Sequence, residues 1–511
     1  SSAGARDGMV GECGANLTRI RCFISWHSHV SSAKSVLAVS PVECKARALK
    51  LRRMSDHITT AKIPADTVRA SVEKQRDRIK QDLTELVSFN SVHGDPSTKA
   101  DTQAAKEWVK NALQAADFAV DEHVTDDGSV TLIGNRAGSP DAPTVLLYSH
   151  YDVVPAGDPS LWTTDPFALS ERNSRWYGRG TADCKGNLVM HLATLRTVQE
   201  LGGTQLNLKA VIEGSEEQGG EGLERLIRTQ PDLFQADIIF IAATGNVAAG
   251  TPTLTITLRG TVQATVTVDT LRAPVHSGGF GGPAPDAVAA LVRLLDTLRD
   301  EHGRTTIDNV DFSATWEGEP YPPEIFRTDA GVLDGVDLMG GPDDTPADLA
   351  WARPAISIIG FTSTPVDQAV NAVPARAAAK LNLRVPPGMK ASDLADALTA
   401  HLKAHVPWGA HLTVDIEEMN DPFRANTDGP AFAALADALS AAYFDAPTVF
   451  SGTGGSIPLT TLLAESFPSA ELMLFGVEEP LSTIHSPDES VSPDEIISIA
   501  IAEALFLLNH P

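Results

Sequence analysis

Four short motifs in this 511-residue sequence hold side chains that could bind a metal or move a proton: YSHYD, GRGTADCKG, EGSEEQGGEG and STIHSPDE. Their histidines and main carboxylates are His150, Asp152, Asp183, Glu216, Glu217 and His485. Two imidazoles and several carboxylates form the ligand set of zinc or of a similar pair of divalent ions. The residue types therefore indicate metal-dependent chemistry, provided that the fold brings the four motifs together.

Each motif alone has an ordinary alternative explanation. The pair His150 and Asp152 could belong to a surface turn, and the two adjacent glutamates could form a solvated acidic turn. Asp183 could be a helix N-cap, and His485 could be a hydrogen-bonded loop histidine. In an open α/β sheet, however, ligands bind beyond the carboxyl ends of the strands. The joint occurrence of these residues at successive strand ends favours a single site.

Helical and strand patterns alternate from Pro64 onward and predict the elements that must position these residues. The predicted strands are TVLLYSHYD, LNLKAVIEG, ADIIFIAA and AELMLFGV, and long helices are AAKEWVKNALQAADF and GNLVMHLATLRTVQELG. This order predicts an α/β fold with a mostly parallel sheet sandwiched by helices. The closing helix should begin at Ser492, which has the spacing of a capping box with Glu495.

The middle of the chain has a different pattern of apolar and polar residues. LTITLRGTVQATVTVDT alternates apolar and polar residues, as a strand with one solvated face does. The helices PDAVAALVRLLDTLRDE and ASDLADALTAHLKAH and the strands AAKLNLRV and HLTVDIEE complete a smaller α+β unit. We therefore predict a catalytic domain in two parts, residues 61–253 and 419–511. An α+β lid or dimerisation domain, residues 254–418, should interrupt it.

The overall charge limits the choice of partners. The chain carries 66 acidic and 40 basic side chains, a formal net charge of −26. Such a surface repels phosphate backbones, which argues against nucleic acid. No apolar run approaches the roughly 18 residues that a membrane helix needs. The composition favours a cytoplasmic protein that acts on a small molecule and does not bind a membrane.

The first 60 residues differ from the rest. Up to position 53 they carry nine basic and three acidic side chains and three of the four cysteines. We expect residues 1–60 to be a disordered or non-native leader, with the natural start at Met54. An organellar transit peptide is the alternative, because the segment is rich in arginine and serine and poor in acids.

Six motifs in this order resemble those of a known enzyme family: SHYDVVP, WYGRGTADCKGN, GSEEQGGEG, APVHSGGFGG, GGSIP and HSPDE. The family is that of the co-catalytic di-zinc metallopeptidases, which includes carboxypeptidase G, acetylornithine deacetylase, aminoacylase and the carnosine and Cys-Gly dipeptidases. The similarity extends from about Pro64 to the C-terminus. The long inserted domain resembles the lids of the dipeptidase branch.

The resemblance implies a role for each residue. Asp183 would bridge two divalent metals, zinc most simply, with manganese or cobalt as alternatives. His150 would bind one metal, and Glu217 and His485 the other. Asp152 would orient His150, and Glu216 would be the general base.

Further roles implied by the resemblance lie outside these four motifs. His276 would reach the active site of the other subunit of a homodimer and stabilise the oxyanion. Asn371 and Arg384 would contact the substrate from the lid, with Arg384 suited to a free carboxylate. Gly455 and Ser456 would contact it from the GGSIP loop. Ordinary structural positions for the histidine and the arginine are the alternatives.

One expected ligand is missing. The resemblance implies an aspartate or glutamate after the strand IIFIA, as the third protein ligand of the metal bound by His150. The matching residue is Ala243, whose methyl group cannot bind a metal. Thr244 and Asn246 are poor substitutes, because zinc prefers anionic oxygen, imidazole or thiolate.

The resemblance therefore implies a homodimeric metal-dependent exopeptidase that hydrolyses dipeptides with a free carboxylate. An N-acyl-amino-acid amidohydrolase would use the same chemistry on an acyl amide. A third possibility is a catalytically impaired variant or binding protein, which Ala243 alone supports.

Overall fold

The structure is a computed structural model that describes residues 62–510. The predicted leader at residues 1–60 and the predicted start at Met54 lie outside this range. Within it, no helix is both long and apolar enough to cross a membrane.

The strands, in chain order, are β1 (Ala119–Val124), β2 (Val130–Arg136), β3 (Thr144–His150), β4 (Ser170–Arg172), β5 (Arg175–Tyr177), β6 (Asn207–Glu213), β7 (Ile238–Ala242), β8 (Thr253–Leu258), β9 (Gly260–Asp269), β10 (Val275–His276), β11 (Ala355–Thr362), β12 (Ala372–Val373), β13 (Arg376–Val385), β14 (His411–Asn420), β15 (Phe423–Arg424), β16 (Val449–Thr453), β17 (Glu471–Phe475) and β18 (Ser490–Val491).

The α-helices are α1 (Ala65–Glu73), α2 (Arg76–Val87), α3 (Lys99–Ala115), α4 (Lys185–Glu200), α5 (Glu221–Thr229), α6 (Ser277–Phe280), α7 (Ala287–Asp296), α8 (Pro323–Asp329), α9 (Ala391–His405), α10 (Pro430–Ala442), α11 (Pro458–Ser466) and α12 (Pro493–Asn509).

A nine-stranded sheet forms the main body. Its order is β1-β2-β6-β3-β7-β17-β8-β15, with β16 beside β8. The central strands β6, β3, β7 and β17 run parallel, and antiparallel strands flank them. The central strands read as continuous apolar runs because helices such as α4 and α12 bury them. The predicted α/β class with a mostly parallel sheet is confirmed.

A separate four-stranded antiparallel sheet has the order β11-β13-β9-β14. A second hydrophobic core lies between this sheet and the helices α7 and α9, and it includes Leu294 and Leu398. Buried and partly exposed residues alternate along β13, as expected for a sheet with one covered face. The predicted domain boundaries stay a prediction.

The segment predicted as one strand from Leu254 is two strands in different sheets. β8 pairs within the large sheet and β9 within the small one. The change falls at Gly260, where a Cβ atom would lie only 2.1 Å from the carbonyl oxygen of Asn420. Glycine allows this close approach of two backbones, which the alternation pattern did not reveal.

The predicted capping box at α12 is wrong. Ser492 is the N-cap residue, but its side chain makes no capping hydrogen bond. The carboxylate of Glu495 instead accepts hydrogen bonds from Asn246, Tyr443 and the backbone of Gly250. This buried carboxylate therefore fixes the chain that follows β7 rather than the helix end.

Candidate active site

The carboxyl end of β3 carries His150 and Asp152, and both side chains are buried. Nδ1 of His150 lies 3.2 Å from a carboxylate oxygen of Asp152. The same carboxylate accepts the backbone N–H groups of Glu216 and Glu217 at 3.2 and 3.0 Å. Asp152 therefore fixes both the imidazole of His150 and the loop that carries the two glutamates.

The loop before α4 carries Asp183, and Glu489 holds this loop. The Glu489 carboxylate accepts backbone N–H groups of Gly180, Ala182 and Asp183 at 2.9 to 3.1 Å. It also pairs with Arg179 at 2.6 Å, and each of these two side chains is only 1% exposed. A buried ion pair, whose carboxylate accepts three backbone N–H groups, thus fixes the backbone at Asp183.

The carboxylate of Asp183 lies between two histidines from distant parts of the chain. Its Oδ1 is 3.1 Å from Nε2 of His150, and its Oδ2 is 3.0 Å from Nε2 of His485. Burial opposes a charge on Asp183, but its hydrogen bonds with the two histidines hold its pKa well below the usual range. One carboxylate that faces two imidazoles has the arrangement of a bridging ligand.

Glu217 completes the group on the His485 side. Its Oε2 lies 3.0 Å from Nε2 of His485, while its Oε1 is buried and has no hydrogen-bond partner in the described part of the chain. Ligand atoms of Asp183, Glu217 and His485 lie within 4.8 Å of one another. Hydrogen bonds with Asp183 and Glu217 raise the pKa of His485 to about 10. The proton on His485 occupies a position between two carboxylates that a cation could take instead. The set of donor atoms therefore suits a divalent metal.

Glu216 lies beside these groups with a different partner. Its Oε2 is 3.8 Å from Nε2 of His150. Burial and the nearby charges of Asp183 and Glu217 raise the pKa of Glu216 to about 7. A carboxylate whose pKa is near neutrality can both accept and release a proton, as a general base must.

The His150 side offers fewer ligands. Ala243 follows β7 and presents only a methyl group, partly buried. The hydroxyl of Thr244 accepts from Thr255, and the amide of Asn246 donates to Tyr443, so these polar groups have partners elsewhere.

A thiol missed in the sequence analysis lies near this side. Cys184 is fully buried, and its sulfur lies within 4.8 Å of ligand atoms of His150 and Asp183. The thiol donates to the carbonyl oxygen of Ala242 at 3.0 Å. Its position directly after Asp183 was the signal that could have found it.

The structure brings His276 and Asn371 together. The short strands β10 and β12 pair, and the backbone N–H of Ser277 donates to the carbonyl oxygen of Asn371 at 2.9 Å. Both side chains are exposed, and Nδ1 of His276 accepts the backbone N–H of Gly279. Among residues 62–510, neither side chain has a hydrogen bond or salt bridge with the groups around Asp183.

Arg384 lies beside a second arginine that the sequence analysis missed. Burial, with Arg384 nearby, lowers the pKa of Arg259 to about 10. Nε and Nη1 of Arg259 are buried, and none of residues 62–510 forms a hydrogen bond with them. The hydroxyl of Ser456 donates to the carbonyl oxygen of Arg259 at 2.9 Å. The structure thus joins the GGSIP loop to a pair of guanidinium groups, which suits an anionic ligand.

A cavity of about 710 Å³ adjoins the end of β7. Ala243 and Gly455 line it, together with the aromatic rings of Tyr321 and Trp351, which are stacked. Ile484, the residue before His485, also lines it. The cavity is large enough for a small peptide.

The fold and the site define a member of a peptidase family. The chain belongs to peptidase family M20/M25/M40, whose model matches residues 146–509. The predicted membership in this metallopeptidase family, and with it the hydrolase class, is confirmed.

Individual relatives indicate the branch of the family that the chain resembles. The chain is 53% identical to the cysteinylglycine-S-conjugate dipeptidase of Corynebacterium striatum, over 87% of this chain and 98% of the relative. It is 28% identical to the Cys-Gly metallodipeptidase dug1 of Schizosaccharomyces pombe, over 67% and 76%. The structure of human carnosine dipeptidase 1 matches with a TM-score of 0.73 and 24% identity, over 87% and 98%. The similarity to the dipeptidase branch is confirmed.

The buried pair of Glu489 and Arg179 gives a first prediction. Glu489→Gln should destabilise the protein by about 3–5 kcal/mol, because it leaves a buried guanidinium without its counter-charge. It should also weaken metal binding, because the loop of Asp183 loses its fixed acceptor. Chemical denaturation and zinc titration measure the two effects. The exposed pair of Glu171 and Lys80 provides the control, and Glu171→Gln should change neither quantity noticeably. Equal effects of the two substitutions would contradict the role given to Glu489.

Proposed function

We propose that this chain is a metal-dependent dipeptidase that hydrolyses cysteinylglycine dipeptides with a substituent on the sulfur. The main structural support is the Asp183 carboxylate, whose two oxygens face His150 and His485. The relative that is 53% identical over nearly its whole length supports the substrate class. The cavity with its aromatic wall could receive an apolar substituent.

Two divalent metals fit this arrangement. Asp183, Glu217 and His485 would hold one, and His150 with Asp183 the other. Zinc suits a set of imidazole and carboxylate ligands, and manganese or cobalt are the alternatives. When bound, such metals polarise the scissile carbonyl and make water a better nucleophile.

The chain's own residues would handle the proton and the substrate. Glu216 would take a proton from the attacking water and deliver it to the leaving amine. Asp152 would keep the His150 ring in one orientation. Arg384 would bind the free carboxylate of the substrate, with Gly455 and Ser456 contacting it from the loop.

Two other functions compete with this proposal. An N-acyl-amino-acid amidohydrolase would need the same metals and the same base. A catalytically impaired variant or binding protein would follow if Ala243 leaves the second metal too weakly bound. A substrate panel tests all three: S-benzyl-cysteinylglycine, β-alanyl-histidine and N-acetyl amino acids, assayed with added zinc. The proposal expects the highest rate on the first and would fail if only the N-acetyl compounds were cleaved.

The two adjacent glutamates should behave differently. Glu216→Gln should lower kcat by about 10²–10⁴-fold and leave the metal content unchanged, because only a proton carrier is lost. Glu217→Gln, the matched neighbour, should lose metal, because a direct ligand is lost. Rate measurements and metal analysis by mass spectrometry check this. Metal loss in Glu216→Gln with a rate restored by excess metal would reverse the two roles.

Ala243 gives a prediction in the opposite direction. Ala243→Asp should tighten metal binding on the His150 side and raise turnover. Loss of even a residue that only hydrogen-bonds to a metal ligand lowers metal affinity or activity by about 10–100-fold. Adding a direct ligand should therefore raise metal affinity by at least that factor. Ala243→Asn is the control, because an asparagine side chain has the shape of aspartate without its negative charge. Calorimetric zinc titration and the substrate panel measure both effects. Equal affinity and equal rates in all three forms would show that position 243 is not a ligand position.

A homodimer is part of the proposal. The edge strand β11 exposes the apolar residues Ile358, Ile359 and Phe361, which an edge left in water would not favour. His276 and Asn371 lie together, and within residues 62–510 neither side chain has a hydrogen bond or salt bridge with the Asp183 group, as expected of residues that serve a partner's site. A cytoplasmic location, and the absence of nucleic acid and membrane partners, stay proposals from composition.

Subunit mixing tests the shared site. Glu216→Ala and His276→Ala subunits should each be inactive, yet their heterodimers should hold one site with both wild-type residues. Activity should therefore appear after subunit exchange, to at most about half the wild-type level because one site in each heterodimer stays defective. Each variant incubated alone is the control. Heterodimers that form but stay inactive would exclude a shared site.

A further inference from the structure

Glu478 is a carboxylate next to the site that the proposed reaction does not use. It follows β17, and its backbone is fixed beside the end of β7, where its carbonyl oxygen accepts the N–H of Asn246 at 2.8 Å. Its Oε1 is buried and has no hydrogen-bond partner among residues 62–510. The next residue, Glu479, differs, because it pairs with Arg175 at 2.5 Å and accepts the N–H of Leu481.

The surroundings of Glu478 are rich in negative charge. Burial raises the pKa of Glu478 well above its usual range, and the nearby carboxylates of Asp183, Glu489 and Glu216 add to this, against the opposing effect of His150. No lysine or arginine in the described part of the chain forms a salt bridge with it. A buried carboxyl group of this kind either holds a proton or takes a cationic partner.

Glu478 lines the same cavity as Ala243, so a ligand in that cavity can reach it. The positive charge of Arg259 lies behind another wall of the cavity. Gly455 lines the cavity, and a Cβ on its neighbour Gly454 would lie 2.8 Å from Nη2 of Arg259. The cavity therefore has an unpaired carboxylate on one wall and an arginine with unpaired nitrogens behind another. A zwitterion such as a free dipeptide matches this arrangement of charge.

We propose that Glu478 binds the free α-ammonium group of the dipeptide and thereby selects dipeptides over N-acyl amino acids. This inference rests on the proposed dipeptidase function. An ammonium group supplies both the charge and the hydrogen-bond donors that Glu478 lacks. An acylated nitrogen supplies no charge, so an N-acyl substrate would leave the carboxylate buried and uncompensated.

A role as a metal ligand is the main competitor, because Glu478 and Ala243 line the same cavity. The groups of ligand atoms that lie within 4.8 Å of one another include Cys184 with His150 and Asp183, but not Glu478. Its geometry therefore favours the substrate over the metal.

Binding to zinc-loaded Glu216→Gln protein, which should not turn over, tests the inference by calorimetry. The probes are S-benzyl-cysteinylglycine and its N-acetyl derivative. The Glu216→Gln protein, called the parent, should bind S-benzyl-cysteinylglycine, the free amine, more tightly than its N-acetyl form. Adding Glu478→Gln should weaken binding of the free amine by about 10–100-fold, the range for a charged hydrogen bond. Binding of the N-acetyl form should not change.

Glu319→Gln is the matched control, because Glu319 is a partly exposed carboxylate that lines the same cavity. It should leave the binding of both probes unchanged. Equal binding of the two probes by the parent, or an equal loss for both in Glu478→Gln, would overturn the inference. Loss of one metal equivalent in Glu478→Gln would also overturn it, since Glu478 would then be a ligand. Failure of the proposed function would look different: no dipeptide would bind or be cleaved by either the original chain or Ala243→Asp.

Discussion

The site depends on one carboxylate that is shared between two histidines. Asp183 faces His150 with one oxygen and His485 with the other, at 3.1 and 3.0 Å. These histidines lie more than 300 positions apart in the chain, so only the folded sheet brings them together. The surrounding structure restrains this contact: Asp152 fixes the His150 ring, and Glu489 fixes the backbone of Asp183.

An excess of negative charge follows from this arrangement. Burial raises the pKa of Glu216, Glu217 and Glu478, and the nearby negative charge of Asp183 adds to the effect. Cations that enter such a site would therefore stabilise the charged carboxylates. Metals would neutralise the centre, and an ammonium group would neutralise Glu478. Ala243 removes one expected negative charge from this balance, which is why that position should affect metal binding.

The sequence predicted the centre of the site because strand ends in a parallel sheet meet at one edge. The end of β3 places His150, whereas Asp183 and His485 lie in loops, and the resemblance of their motifs to the family indicated them. The residues that it missed depend on packing between distant segments. Arg259 lies between β8 and β9, where Gly260 lets the chain change sheets, and Glu478 belongs to none of the motifs singled out in the sequence. Glu495 has the spacing of a capping box but bonds to Asn246 and Tyr443, because buried partners were available.

The central claim is that Asp183 bridges two metals, and anomalous X-ray diffraction from zinc-soaked crystals tests it most directly. Data above and below the zinc absorption edge should give two anomalous peaks at Asp183. One should lie with Glu217 and His485, and a weaker one with His150. The group of Asp308, His401 and His405 is a separate possible position, although both ring nitrogens of His401 already have partners. Zinc at that group alone, with no peak beside Asp183, would contradict the account.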